Sequence, residues 1–350
     1  MSQWTVLGLT REELAGALAE LGEPPYRAGQ VMEWAYRRGA RDFSAMTNLP
    51  KRLREGLTAV ARVGRLTPVT VQRSREDGTA KVLLRLDDGE TVEAVLLPHD
   101  YGVSACVSSQ VGCAMGCAFC ASTRNGLKRN LTAGEMVAEV LEVQALAGPE
   151  TRVSHVVIMG TGEPLLNLDE VLRFLHLLHA EEGLGISYRN LTLSTCGLVP
   201  EMRRLASEGL PLTLAVSLHA PNDELRSRLM PVNRRYPLAE LLPACAEYGR
   251  VTGRRVTFEY ALIAGVNDRP HQARELAGRL KGMLCHVNLI PLNAVPETGL
   301  ERSSPERVEE FRSILAEAGI SVTVRREMGA DIEAACGQLR RRVLEGGEQT

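Results

Sequence analysis

Three of the chain's eight cysteines fall in one short stretch, "GCAMGCAFC" at residues 112–120, as Cys113, Cys117 and Cys120 in a C-x3-C-x2-C spacing. Thiolate sulfur is a soft ligand suited to zinc or to an iron–sulfur cluster. A four-cysteine zinc site needs a second close pair, usually C-x2-C. The other cysteines, at 106, 196, 245, 285 and 336, supply none. A ferredoxin-type cluster takes a fourth cysteine. Three thiolates this close therefore fit a 4Fe-4S cube with one iron left to a ligand from outside the protein. A zinc site and a set of inert thiols are the alternatives.

Polar or small residues recur where strands should end: Gly162 and Glu163, Ser194, Ser217 and His219, and Asn293. Taken singly, each reads as ordinary turn chemistry. In barrel-like α/β folds the C-terminal strand ends and the loops after them form the active-site mouth, so their recurrence points to one shared site.

The elements that must position these residues alternate in period. From residue 103, apolar strand-like runs ("VSACVS", "VSHVVIMG", "NLTLST", "LTLAVSLH", "RVTFEYALI", "HVNLIPL") alternate with helical patterns such as "AGEMVAEVLEVQAL" and "LDEVLRFLHLLHAE". Alternation of this kind predicts a parallel sheet with right-handed crossovers. About six β/α units are too few for a closed eightfold barrel, so the expected fold is an open, partial parallel β/α barrel. "SVTVRRE" is expected to add one more strand. Ahead of it, "AKVLLRL" and "ETVEAVLL" flank Asp87-Asp88-Gly89, a hairpin signal. Three amphipathic stretches near the start, the first with Thr10 and Glu13 as a capping box, make a small helical domain. The expected division is 1–75 helical, 76–102 a β-hairpin extension and 103–350 the partial barrel.

The composition is that of a globular protein, 44% hydrophobic and 24% charged, with a formal net charge of −2. Residues 1–75 carry twelve Lys and Arg against seven Asp and Glu, so a basic segment sits on an acidic body. Such asymmetry suits contact with a polyanion, or simply a solvated helical surface. No apolar run approaches the roughly 18–20 residues of a membrane span, and the N-terminal stretch lacks the pattern of a secretory signal. The expectation is a cytoplasmic protein in a reducing compartment, where cysteines serve as ligands, reactive thiols or core fillers.

The cysteine motif after a first barrel strand, with Gly162-Glu163 at the second, resembles the radical S-adenosylmethionine (SAM) enzymes. The stretches "ACVSSQVGCAMGCAFCASTRNGLKRNLTAGE", "IMGTGEPLLN", "LSTCGLVP", "VSLHAPNDELRSRLMPVNRRYPL", "IPLNAVPE" and "GADIEAACGQL" are more specifically similar to the bacterial dual-specificity methyltransferases of 23S rRNA and tRNA, which methylate carbon 2 of an adenosine. "RAGQVMEWAYRRGARDFSAMTNLPKRLRE" resembles that family's RNA-binding domain. Thr161 stands where methionine is common. Pro164 favours this family over an antibiotic-resistance relative that methylates carbon 8.

The resemblance implies one 4Fe-4S cluster on Cys113, Cys117 and Cys120, with SAM on the open iron and two SAM used per turnover. Gly162, Glu163, Ser194, Ser217, His219 and Asn293 match the SAM contacts, and Phe119 an aromatic near the cluster. Cys336 matches a methyl-accepting cysteine, and Cys106 a resolving cysteine that forms a disulfide with it. Glu93 matches an acid/base group for the carbon-2 proton. Implied partners are the two RNAs and a reductant such as flavodoxin or ferredoxin, with no membrane and a monomeric chain. Phosphate contacts call for Lys and Arg. The candidates are Arg37, Arg38, Lys51, Arg52, Arg54, Lys128, Arg129, Arg234, Arg235, Arg325 and Arg326. A glycyl-radical activating enzyme shares the cysteine spacing but needs neither Cys106 nor Cys336. A non-catalytic, metal-stabilised RNA-binding protein is the alternative of another class.

Overall fold

The computed structural model describes residues 3–293, 298–332, 339, 340 and 342. Near the N-terminus, α1 (Arg11–Ala19) starts at the expected capping box, with Thr10 and Glu13 each accepting the other's backbone N–H. Next, α2 (Tyr26–Met32) runs on through a wider turn at Glu33–Arg37 and stops at Gly39, whose φ of +66° is a left-handed helix stop. Then α3 (Lys51–Val60) follows, and β1 (Trp4–Thr5) pairs in parallel with β2 (Ala61–Arg62) to close the unit. Leu14, Leu18, Val31, Phe43, Leu53 and Leu57 fill its core.

The rest is built on one ten-stranded sheet. An antiparallel flank, β3 (Thr67–Arg73), β4 (Ala80–Arg85) and β5 (Thr91–His99), leads into β6 (Gly102–Val107). A two-stranded ribbon, β7 (Gln110–Gly112) and β8 (Leu127–Asn130), stands apart from this sheet. The parallel strands that follow are β9 (Val153–Ile158), β10 (Leu191–Thr195), β11 (Thr213–Ser217), β12 (Val256–Leu262), β13 (Cys285–Pro291) and β14 (Val322–Val324). The order is β14-β13-β12-β11-β10-β9-β6-β5-β4-β3, so β14 and β3 remain as two separate edges and the barrel is open. The expected α/β partial barrel is the observed fold, and "SVTVRRE" does supply the last strand.

The crossovers are helical: α4 (Ala133–Ala147), α5 (Leu168–His179), α6 (Val199–Ser207), α7 (Asp223–Leu229), α8 (Leu238–Thr252), α9 (Pro270–Leu280) and α10 (Pro305–Glu317). The helix α4 carries a Thr132–Glu135 capping box of the same kind as α1. It is buried almost all round because it packs against the turn from antiparallel to parallel pairing, at β5, β6 and β9. Strand β3, the β7–β8 ribbon, α6, α7 and α10 were not among the sequence expectations.

Candidate active site

The cysteine loop does not leave β6 directly. After Val107 the chain turns through Ser108 and Ser109 into β7, and β8 returns beside it, so the ribbon clamps both ends of the loop. At the clamp the chains nearly touch. Gly112 has φ +78°, and a Cβ there would lie 1.9 Å from the Gly126 carbonyl oxygen, so only glycine fits. The Cys113 N–H donates to that same oxygen at 3.1 Å. Within the loop the Cys120 N–H donates to Cys117 O, and the Ala118 N–H donates to Leu229 O at the end of α7.

Cys113 is buried, and Cys117 and Cys120 are half-buried. Burial pushes the Cys113 thiol up to about 11 and the Cys117 thiol up as well, and the neighbouring thiols add to both shifts. All three thiols sit on one short loop held at both ends by the β7–β8 ribbon. Among the described residues no three His, Cys, Asp or Glu side chains converge to grip a single metal ion. A multi-iron cluster asks for something different, one thiolate on each of three irons. Three thiols on one clamped loop fit that donor set.

The Gly-Glu turn after β9 is strapped to the base of the same loop. Gly160 N–H donates to Val107 O (2.9 Å), and the Ser109 and Gln110 N–H groups donate to Thr161 O (2.9 and 3.1 Å). Thr161 N–H donates to Ser108 Oγ (3.1 Å), and Glu163 N–H to Gln110 Oε1 (2.8 Å). Gly162 has φ +116°, and a Cβ there would reach Ser109 Oγ at 2.7 Å. The Glu163 carboxylate is buried. Its Oε1 accepts from Thr195 Oγ1 (2.7 Å) and Leu165 N–H (3.0 Å), and its Oε2 from Cys196 N–H (2.8 Å). Burial pushes this carboxyl up, and the bonds from Cys196 and Thr195 oppose the rise. Among the described residues no cation pairs with it. A buried carboxylate held only by neutral donors suits a ligand's ammonium.

Ser194 lies near the end of β10, level with Ala215 of β11, and Ser217 ends β11. His219 follows with φ 56°, buried, its Nδ1 accepting the Ala261 N–H at 2.9 Å. That bond fixes the neutral tautomer with hydrogen on Nε2, and burial, with the Arg226 charge, pushes the imidazole pKa down to about 3. The ring meets Phe119 edge-on, 4.7 Å between centroids, which ties this strand end to the cysteine loop.

Asn293, just past β13, lines a cavity of about 430 Å³ together with Cys106, Val95, Met159, Arg325 and Arg326. Cys106 on β6 is level with Val95 on β5. Glu93, two residues before Val95, shares its face. Glu93 is buried. Its Oε2 lies 2.9 Å from Lys81 Nζ, and its Oε1 accepts the Arg340 N–H at 2.6 Å. Lys81 is itself fully buried. Cys336 lies outside the described residues.

The cavity therefore gathers Cys106 and Asn293, with Glu93 one pleat away. Gly162, Glu163 and His219 are tied instead to the cysteine loop. Ser108, Gln110, Lys81 and Arg226 were not foreseen. The polar run "SSQ" between an apolar strand and the cysteine motif was a signal for the first two. Of the basic candidates, Arg325 and Arg326 line the cavity. Arg129 is engaged by Asp88 and Glu135, Lys128 by Glu90, and Arg54 by Ser44 O. Arg37 and Arg38 line a second cavity of about 600 Å³ with Arg41, Arg65 and Arg152, between the N-terminal helices and the far end of α4.

A cysteine loop clamped at the mouth of an open β/α barrel defines the class, and the model of the radical SAM superfamily matches residues 107–277. A second family model, the N-terminal domain of ribosomal RNA large subunit methyltransferases, matches residues 5–63. The chain is 57% identical over 336 residues to the probable dual-specificity RNA methyltransferase RlmN of Symbiobacterium thermophilum, covering 96% of this chain and 91% of the relative. It is 55% identical over 334 residues to that of Desulforamulus reducens, covering 95% of each. The crystal structure of a radical SAM methyltransferase from Sphaerobacter thermophilus superposes with a TM-score of 0.93 at 50% identity, over 96% of this chain and 98% of that one. The chain belongs to the RlmN family of dual-specificity RNA methyltransferases.

Proposed function

We infer that the protein is a radical SAM methyltransferase that methylates carbon 2 of an adenosine in 23S rRNA and in tRNA near the anticodon. The observation that carries this reading is the cavity holding Cys106 beside Asn293 and three arginines, one strand from a buried Glu93. Carbon 2 of adenine is electron-poor and cannot attack a methyl group, so the family's chemistry joins the carbon through a radical.

When bound, the cluster on Cys113, Cys117 and Cys120 together with SAM supplies a methyl group to a thiol and a carbon radical that removes hydrogen from it. The chain's own residues do the rest. Glu163 holds the SAM ammonium. Gly162, Ser194, Ser217, His219 and Asn293 contact the remainder, with His219 a neutral Nε2–H donor. Cys336 carries the one-carbon unit and becomes linked through it to the RNA. Glu93 accepts the carbon-2 proton, which its carboxylate can do on leaving one of its present partners. The Cys106 thiolate then attacks the Cys336 sulfur. A disulfide forms, the carbon–sulfur bond breaks with its electron pair passing to the carbon, and that carbon takes up a proton as the methylated base leaves. Arg325 and Arg326 at the cavity suit RNA phosphates; Arg37 and Arg38 of the helical part (1–75) would do so on leaving the Glu181 and Gly183 carbonyls and Glu33, which they now engage. The remaining assignments are the 76–102 extension, the 103–350 barrel, a flavodoxin- or ferredoxin-type donor, a monomer and a cytoplasmic setting.

The test is nucleoside mass spectrometry of 23S rRNA and tRNA from a methylation-deficient strain with and without this chain. Appearance of 2-methyladenosine is the expected result. No methyladenosine would sink the reading, and 8-methyladenosine would replace it with the carbon-8 reaction.

A further inference from the structure

Arg226 on α7 is fully buried, and among the described residues it forms no ion pair. Its Nη2 donates to the carbonyls of Cys196 (2.7 Å) and Ser217 (3.1 Å), and its Nη1 to Asn233 Oδ1 (2.9 Å). Its Nε has no hydrogen-bond partner. Asp223 is one bond removed, accepting from Asn233 Nδ2 at 3.0 Å. A guanidinium taken out of water and held mainly by neutral dipoles is costly, by several kcal/mol. A fold that keeps it has an anion to offset it.

The surroundings point to one place. Burial pushes the Arg226 guanidinium's pKa down, and the thiols of Cys196, Cys117 and Cys245 and the Asp223 carboxylate oppose that. Cys117 is a cluster ligand in the reading above. The helix that carries Arg226 also seats the cysteine loop, through Ala118 N–H to Leu229 O at 2.9 Å. Both carbonyls that grip the guanidinium belong to the ends of β10 and β11, where Ser217 is a proposed SAM contact. The other buried charge of this region, Glu163, sits on the amide side of Cys196, whereas Arg226 sits on its carbonyl side.

We propose that Arg226 is the built-in counter-charge of the cluster, stabilising its reduced form more than its oxidised form and so making it easier to reduce. Reduction adds one negative charge to a group already carrying three thiolates. A fixed cation nearby in a low-dielectric setting favours that added charge. The role is electrostatic tuning, and Arg226 touches neither RNA nor the transferred carbon. It rests on the assignment of Cys113, Cys117 and Cys120 as cluster ligands.

The experiment uses the full chain, reconstituted anaerobically with iron and sulfide, poised at a series of dithionite potentials and read by EPR of the reduced cluster. In Arg226→Gln the ratio of reduced to oxidised cluster at a fixed potential should fall about tenfold, equivalent to about 59 mV for a one-electron couple. Arg226→Lys keeps the charge and should stay within about twofold of the parent. Cys245→Asp sets a carboxylate near an unaltered Arg226 and should shift the ratio in the same direction, which keeps the test open if Arg226→Gln does not fold. An unchanged ratio in whichever neutralised variant folds, or an equal fall in Arg226→Lys, overturns the proposal. If the parent protein takes up no iron and sulfide, the cluster assignment itself fails instead.

Discussion

The antiparallel flank and the parallel strand ends both bury full charges, and they treat them in opposite ways. On the flank, Lys81 of β4 and Glu93 of β5 lie 2.9 Å apart with 0% and 4% of their side chains exposed. Each is the other's counter-ion. At the strand ends, Glu163 and Arg226 bracket Cys196 from its two sides, yet each is held by neutral hydroxyls, amides and carbonyls. The flank is electrostatically complete as the chain folds. In the reading proposed above, the strand ends are completed by a cationic group at Glu163 and by the negative charge of the cluster near Arg226. The difference separates a region whose charges are paired within the chain from one whose charges, among the described residues, are held by neutral groups alone.

The largest expected effect tests the finished side. Lys81→Met leaves Glu93 buried without its cation and should destabilise the protein by about 3–5 kcal/mol in urea unfolding. Replacing both partners, Lys81→Met with Glu93→Leu, should restore most of that loss. A cost under about 1 kcal/mol for the single change would mean the pair is no better than a surface one.

A second effect separates His219 from the charged groups. Its pKa falls to about 3 in the folded chain, below the roughly 6.5 of an unfolded histidine. The unfolded state therefore binds the proton first as pH drops. Stability tied to this residue is full above pH 6.5 and is lost progressively between about 6.5 and 3, by a few kcal/mol at most. His219→Gln should flatten that part of the pH–stability curve. An unchanged slope would place the titration elsewhere.

The unfinished side gives a smaller effect that is confined to ligand binding. Glu163→Gln should weaken SAM by about tenfold to a hundredfold, about 1.4–2.8 kcal/mol by calorimetry. Its effect on unfolding should stay below that of Lys81→Met. The reverse ranking would erase the contrast between the two regions. The smallest change, Thr10→Ala, removes a capping box remote from both and should cost about 1 kcal/mol of stability with SAM affinity unaltered.

The parts of this arrangement that show in the sequence are those written locally. Cysteine spacing, capping boxes at Thr10 and Thr132, and the Asp88-Gly89 turn each sit within a few residues, and the structure contains all three features. The β/α alternation was equally visible because each strand has its own apolar run. What escaped is long-range. The strand β3, "TPVTVQR", faces solvent along most of its length and carries Pro68, so it lacks the apolar face that marks a strand. The ribbon strand β7 is three residues long and ends in Gly112. Lys81 reads as an exposed strand residue until Glu93, on the neighbouring strand, is seen to face it. Arg226 reads as one charge on the polar helix "DELRSRL", and only the fold shows that it points inward at two strand ends. Glu93 and Cys106, more than two hundred residues before Cys336's segment, drew their roles from resemblance alone, and the sheet register then set them on one face.

The most direct test of the two-cysteine chemistry is a search for a covalent protein–RNA adduct by denaturing gel and mass spectrometry. Reconstituted protein, SAM, a reductant and an RNA hairpin bearing the target adenosine are combined. Cys106→Ala should accumulate an adduct linked through the Cys336 sulfur, because nothing releases the carbon, while Cys336→Ala should give neither adduct nor product. Full turnover by Cys336→Ala, or product without adduct from Cys106→Ala, would contradict the account.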